Sequence, residues 1–477
     1  MSEIQPLYTL GEWRSTSHSI AVHSPHDGAL VGEVAAADEF LLREALAGLY
    51  AALETMAAIP TYERVAILEQ LAHLVELNQE DLAQTIALEA GKPIRDARTE
   101  AKRAVLTLRT CASVLRNPTW ECFPLDHAPG SEGRWGVVRR FPIGVVLGIS
   151  PFNYPLNLVC HKLGPALAAG CPFLLKPASA TPLTAIKLVK LALLAGWNPQ
   201  GIAIVPCAGS VAQNIVPDAR VALITFTGSH VVGWHIRELA PRKPVVLELG
   251  GNAATIVWDD ADLGYAIPRL VMGSFVYAGQ VCIKVQRIII SRNIYDKVKE
   301  ELVERTKSLK IGDPLLEETD VGPMISTKEA DRAQGWLQQA VTSGAKVLCG
   351  GERHENYLLP TLVENCPADQ ALNCDEVFAP ITVLIPADSF KQAVDIANQS
   401  RFGLQCGVLT RDVGRIDYAH RHLEVGGVIA GDVSTYRIDP MPYGGEKDSG
   451  MGREGPRYAI DEMSQKRLLV FHAPLKE

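Results

Sequence analysis

From Gly144 onward the chain repeats one pattern, a short unbroken apolar run followed by a longer stretch of helical periodicity. "GVVLGIS", "PFLLKPA", "IAIVPCAG", "VALITFTG" and "PVVLELGG" are the first such runs. A strand with one face in water alternates apolar and polar residues, so runs without alternation are covered on both faces. Strands of that kind separated by helices make a buried parallel sheet. The pattern resumes after Cys282 in "QRIIIS", "AKVLCGG", "ITVLIPA", "CGVLT" and "GGVIAG", with a helix expected across "YDKVKEELVERTKSLK". Residues 38–118 are rich in Ala and Leu at helical spacing. "WECFPLDHAPGSEGRWGVVRRF" reads as two strands about a turn, and "KRLLVFHA" as a last short strand. The 477 residues exceed one ordinary core. The expected fold class is α/β, with two Rossmann-like parallel-sheet lobes and a small β element from 119–140 and the C-terminus.

Net charge is −8, from 46 basic and 54 acidic residues. That disfavours nucleic-acid and anionic-membrane partners. The start, "MSEIQPLYTLGEWRS", has neither the basic nor the apolar part of a signal peptide. "FPIGVVLGISPFNYPLNLVC" is long enough to raise a membrane span, but Pro142, Pro151 and Pro155 make it a turn between strand and helix. The ten cysteines form no C-x-x-C pair, which indicates reduced thiols and a cytoplasmic location. No metal site is expected: His420 and His422 are two apart on an expected helix and share no face.

The G-x-G-x-x-G spacing occurs at Gly450, Gly452 and Gly455 in "GMGREG". No strand or βαβ unit is expected around it, so it reads as a loop needing positive φ rather than a dinucleotide fingerprint. "VALITFTGSHVVGWHI" is the better candidate. An apolar strand ends in Thr227-Gly228-Ser229 and a helix is expected from about Val231, offering unpaired N–H groups to a phosphate. Lys176 in "LLKPASATP" follows another strand end and reads equally as a ligand contact or a solvated lysine. Glu248 in "VVLELGGN" puts a carboxylate in an apolar run. It is a raised-pKa base if buried, or an edge residue facing water. Asn153 in "GISPFNYPLN" sits between two prolines, as a fixed amide donor or a turn residue. Cys282 in "YAGQVCIKVQRIII" is a nucleophile or one more packed sulfur.

Taken together, "SPFNYP", "LLKPASATP", "FTGSHVVG", "LELGGN", "GQVC", "DEVFAP" and "MPYGGEKDSGMGREG" resemble the aldehyde dehydrogenase superfamily, from about residue 20 to 471. The branch they most resemble holds lactaldehyde and non-phosphorylating glyceraldehyde-3-phosphate dehydrogenases. The resemblance implies a cysteine thiohemiacetal at Cys282, an oxyanion held by Asn153 and the Cys282 N–H, hydride transfer to NAD or NADP, and a thioester hydrolysed by water that Glu248 activates. It implies cofactor contacts from Ser150, Phe152, Lys176, Ser179, Gly228, Ser229, Glu376 and Phe378. It divides the chain into a cofactor-binding domain (1–118 and 141–249), a catalytic domain (250–435), oligomerisation strands (119–140 and 464–477) and a Gly-rich segment with a returning helix (436–463). A homodimer or homotetramer follows, since edge strands need cover.

Three positions depart from the family pattern. Ser179 stands where a glutamate often binds the ribose 2′-hydroxyl, which favours acceptance of NADP. Phe152 replaces a common tryptophan, and Ala379 a common glycine. Arg437 in "STYRIDPMP" is a candidate for binding an anionic substrate group, or a structural or surface arginine. The substrate expected is a small polar or anionic aldehyde. The alternatives are a CoA-acylating aldehyde dehydrogenase, against which Glu248 argues, and a cysteine-dependent thiol esterase, which would need a histidine base. Strand alternation after the cysteine would send Cys282, Lys284 and Gln286 to one face and Arg287 to the other.

Overall fold

The computed structural model describes residues 4–118 and 121–473. Thr119 and Trp120 of the expected 119–140 element, and 474–477 of the C-terminal one, lie outside the described residues.

Two sheets carry the architecture. The first has eight strands in the spatial order Glu12–Arg14, Leu7–Thr9, Ile202–Ile204, Phe173–Lys176, Val145–Ile149, Val221–Thr227, Val245–Glu248 and Gly450–Met451. The five middle strands are parallel and are the apolar runs read from the sequence. Chain order reverses between the neighbouring Val145–Ile149 and Val221–Thr227 strands. Such a switch leaves a crevice at the carboxyl ends of the strands. The second sheet has seven strands, from Lys346–Cys349 at one edge to Gly427–Ala430 at the other, all parallel except the first.

Helices cover the first sheet. Ile94–Arg116 buries Ile94, Ala97, Ala101, Ala104, Leu108 and Cys111, spaced three or four apart, so one apolar stripe faces inward. That stripe packs on Thr61–Leu77 and on Asn157–Ala169. Leu108 is fully buried there, and truncation to alanine would cost about 2–5 kcal/mol. The Pro456–Glu462 helix returns to the same pair, Ile94–Arg116 and Asn157–Ala169.

Four expectations need correction. The N-terminal strands Leu7–Thr9 and Glu12–Arg14 were not foreseen; three residues each show no period. "KRLLVFHA" belongs to no short strand: Ser464–His472 is nine residues long and pairs with Arg134–Pro142 over its whole length. "GMGREG" does hold a two-residue strand, Gly450–Met451, antiparallel to Val245–Glu248. Its glycines still take φ of +143°, +83° and +114°, which L side chains avoid. Finally, the strand after Cys282 begins only at Arg287, and 282–286 are turn and irregular backbone. Lys284 and Gln286 nonetheless reach the 372–381 segment while Arg287 reaches carbonyls of Asn252, Ile396 and Ala397.

Candidate active site

Four parallel strands of the first sheet end at one cavity. Val145–Ile149 runs into Ser150, Phe152 and Asn153, and Phe173–Lys176 stops on Lys176. Val221–Thr227 leads to Gly228 and Ser229, and Val245–Glu248 stops on Glu248. The second sheet contributes the amino ends of its strands. Cys282 precedes Arg287–Ser291, and Glu376 and Phe378 precede Ile381–Ala387. With Ser179 added, all these residues line a cavity of about 860 Å³.

Cys282 sits after a strained turn. Tyr277, Ala278 and Gly279 have φ of +50°, +52° and +67°. Non-glycine residues hold such angles only when their surroundings fix them. The Tyr277 hydroxyl donates to the Ala90 carbonyl at 2.7 Å. A Cβ at position 279 would lie 2.4 Å from the Ala379 carbonyl oxygen, so only glycine fits. The half-buried Cys282 thiol meets the Tyr443 hydroxyl at 3.1 Å. Burial pushes the thiol up to about 11; the Tyr443 bond and the Arg437 charge oppose this, while Glu376 and Glu248 add to it.

Asn153 is buried, and its Nδ2 donates to the Gln280 carbonyl at 2.9 Å. An amide nitrogen carries two hydrogens, so one N–H is left for the cavity. Gln280 Oε1 in turn accepts from the Ile325 N–H at 2.9 Å, which braces the same turn. Glu248 is buried, and among the described residues neither carboxylate oxygen has a hydrogen-bond partner. Burial and the nearby Glu454 push its pKa well above the ordinary range, against the pull of Arg437, Lys162 and Arg453.

Glu376 Oε1 accepts the Gly251 N–H at 3.1 Å. The carboxylate lies on Gly250, where a Cβ would stand 2.0 Å from Oε2. Burial raises this acid to about 7. Phe378 takes φ of +46° and sets its ring edge-on to Phe152, with centroids 5.9 Å apart. Lys284 Nζ donates to the Ala379 carbonyl at 2.9 Å and to that of Ile381, fixing the segment that carries both. Ala379 therefore stands in an anchored loop.

Lys176 is buried, and burial lowers its pKa. Ser179 is exposed and its hydroxyl donates to the Cys207 carbonyl at 3.4 Å. Ser229 caps the His230–Leu239 helix, accepting from the Val232 N–H at 3.5 Å. A helix N-terminus, a buried ammonium and an aromatic pair along one cavity of this size fit a nicotinamide dinucleotide.

Arg437 is not brought into the cavity lining. Its guanidinium pairs with Glu454 and lies 3.7 Å over the Tyr443 ring. A buried cation is satisfied by an anion and an aromatic face, and the loop around it folds inward accordingly. Sequence reasoning missed the cluster that holds it. Lys162 Nζ and His161 Nδ1 each lie 3.8 Å from Glu454. His161 and Asn157 also bond Asp439 at 2.9 Å. A signal existed: Lys162 interrupts the apolar "NLVCHKLGPALAAG" just as Glu248 interrupts its own strand. Among the described residues no histidine bonds the Cys282 thiol; His230 of "FTGSHVVG" bonds Arg401 instead.

The sequence pattern of the aldehyde dehydrogenase family matches residues 13–469. The chain is 42% identical over 467 residues to a 3-sulfolactaldehyde dehydrogenase of Priestia aryabhattai, covering 98% of each chain. The structure superposes on aldehyde dehydrogenase 21 of Physcomitrella patens, solved with its reaction product succinate, at TM-score 0.96 and 39% identity, over 99% of both chains. It also superposes on the glyceraldehyde-3-phosphate dehydrogenase GapN of Methanocaldococcus jannaschii complexed with NADP, at TM-score 0.92 and 36% identity, over 96% of this chain and 100% of that one. Matched along nearly its whole length in sequence and in fold, the chain belongs to the aldehyde dehydrogenase family, NAD(P)-dependent oxidoreductases.

Proposed function

We propose that this enzyme oxidises a small polar or anionic aldehyde to its carboxylic acid through a thioester on Cys282. One observation carries the reading: a single cavity joins the Cys282 thiol, the spare N–H of Asn153 and the unpartnered carboxyl of Glu248. The bound NADP or NAD supplies the acceptor for hydride. Cys282 attacks the carbonyl carbon, and Asn153 with the Cys282 backbone N–H holds the oxygen as it becomes an oxyanion. Glu248 then takes a proton from water as that water attacks the thioester. Its elevated pKa suits a base working near neutrality. Glu248 in the cavity also favours water over CoA; formation of acyl-CoA when CoA is added to the assay would refute this.

Lys176, Gly228 and Ser229 are proposed to hold the dinucleotide phosphates and adenosine ribose, and Ser150, Phe152, Glu376 and Phe378 the nicotinamide end. Ser179 leaves room and a hydroxyl for a 2′-phosphate, so NADP is accepted. The names of the relatives support a small polar or anionic substrate, of the lactaldehyde, sulfolactaldehyde or semialdehyde kind.

The 1–118, 141–249 part is proposed as the cofactor domain and 250–435 as the catalytic one. Leu468, Leu469, Val470 and Phe471 are exposed on Ser464–His472. An uncovered apolar strand of this length fits extension of a second copy's sheet, giving a dimer or tetramer. Ten unpaired cysteines fit a cytoplasmic setting. Among the described residues no helix is long and apolar enough to cross a membrane, and no cluster of metal-ligating side chains occurs. The test is cofactor reduction measured across a panel of neutral and anionic aldehydes. Preference for short anionic aldehydes is expected; activity confined to long apolar or aromatic aldehydes would overturn the substrate reading.

A further inference from the structure

We propose that Tyr443 is a further catalytic residue, whose hydroxyl donates the hydrogen bond that holds the Cys282 sulfur as a thiolate when it attacks and again when it leaves. The inference rests on the reading of Cys282 as the nucleophile.

Tyr443 is buried, 3% exposed, and its hydroxyl lies 3.1 Å from Sγ. That contact is the only side-chain hydrogen bond of either group among the described residues. The ring is held from two sides. The Tyr443 backbone exchanges hydrogen bonds with Glu454, N–H to carbonyl at 2.9 Å and 2.6 Å in the two directions. The Arg437 guanidinium covers the ring face at 3.7 Å and is itself fixed by Glu454. A cation on the ring face draws electron density from the phenol and makes its O–H a better donor.

The sulfur needs such a donor. The titratable groups facing it are Tyr443 and Arg437 from the C-terminal segment, Glu248 from its strand end, Glu376 from the loop before Ile381, and Tyr154 from the loop before the Asn157–Ala169 helix. Two are acids, and the one cation is spent on Glu454. While Cys282 is protonated either atom can donate. Once the proton on Sγ has passed to water, only the hydroxyl can. Burial and the neighbouring sulfur keep the phenol's proton in place, so Tyr443 donates without acting as a base. In the attack, a sulfur lone pair forms the C–S bond and the carbonyl π pair moves to oxygen. In hydrolysis the C–S pair returns to sulfur, and the same hydroxyl receives it.

The test is the pH dependence of Cys282 alkylation by iodoacetamide, read on the Cys282 peptide by mass spectrometry because nine other cysteines are present. In Tyr443→Phe the midpoint is expected to rise by about one pH unit, with alkylation near pH 8 and kcat/KM each falling about tenfold. Replacing Tyr443 with 3-fluorotyrosine, a more acidic donor of nearly the same shape, should move the midpoint below that of the unmodified enzyme. An unmoved midpoint in folded Tyr443→Phe overturns the proposal even if activity falls, since packing alone would do that. If Tyr443→Phe does not fold, an unmoved midpoint with 3-fluorotyrosine overturns it. Aldehyde oxidation surviving in Cys282→Ala would instead overturn the reading beneath it.

Discussion

Glu248 and Glu454 are buried almost equally, at 3% and 4% exposure, and they behave as opposites. Glu454 is ringed by basic side chains. Arg437 pairs with it, and Lys162 and His161 stand 3.8 Å away. Burial opposes its charge, yet His161, Arg437 and Lys162 hold it down to about 2. Glu248, in the same interior, has no hydrogen bond on either oxygen among the described residues and is pushed well above the usual range by burial. The difference lies in partners, not depth. A buried acid saturated with cations is a structural joint. A buried acid left without partners at the wall of a cavity is available for proton chemistry. The sign for pH follows. Glu248 and Cys282 both have raised pKa values, so their reactive, ionised forms grow as pH rises. Glu454 stays ionised down to about pH 2 and contributes no step in the neutral range.

The comparison can be broken in several places. Cys282→Ala removes the sulfur that shares the cavity with Glu248. Loss of about 10⁴-fold or more in cofactor reduction is expected, with the fold intact by circular dichroism. Retained turnover would move the chemistry elsewhere. Next, Glu454→Gln should destabilise the protein by about 3–5 kcal/mol, because it leaves the buried Arg437 and Lys162 without their anion. Glu248→Gln should leave the thermal transition nearly unchanged, since neither carboxylate oxygen has a hydrogen-bond partner to lose among the described residues. Equal losses in the two variants would erase the distinction. Arg437→Met tests the substrate side: Arg437 lies outside the cavity lining and pairs with Glu454, so KM for an anionic and for a neutral aldehyde should rise alike, by about two- to fivefold, as the Tyr443 ring loses its cover. A rise about tenfold greater for the anionic aldehyde would instead put the guanidinium in contact with substrate. The smallest expected effect is at Ser179→Glu, where an added carboxylate should cut kcat/KM for NADP several-fold through like-charge repulsion with little change for NAD. An unchanged ratio would remove Ser179 from cofactor choice.

The sheets were legible because their strands are unbroken apolar runs, and no other arrangement covers both faces of so many. Asn153, Glu248 and Cys282 were legible as residue types out of keeping with their stretches, and the resemblance ordered them. The cluster behind them was not. Tyr443 and Cys282 are 161 residues apart, and His161 and Asp439 are 278 apart, distances no local pattern spans. Arg437 lies in a Pro-rich loop and reads equally as a substrate contact or as a structural or surface arginine, because nothing nearby in sequence announces that Glu454 and Tyr443 will close over it. Glu454 itself lies inside "GMGREG", where the glycines draw attention away from the acid they turn inward. The residues after Cys282 alternate like a strand, but 282–286 are turn and irregular backbone, and the polar side chains of Lys284 and Gln286 bind carbonyls of the neighbouring loop.

The central claim is that Cys282 carries an acyl group which Glu248 allows water to release. Its most direct test is rapid quenching of Glu248→Gln after mixing with aldehyde and NADP, followed by mass spectrometry of the Cys282 peptide. The account predicts a burst of about one reduced cofactor per active site, then a stall, with the acyl mass on Cys282. Steady turnover at the normal rate with no mass added to that peptide would contradict it.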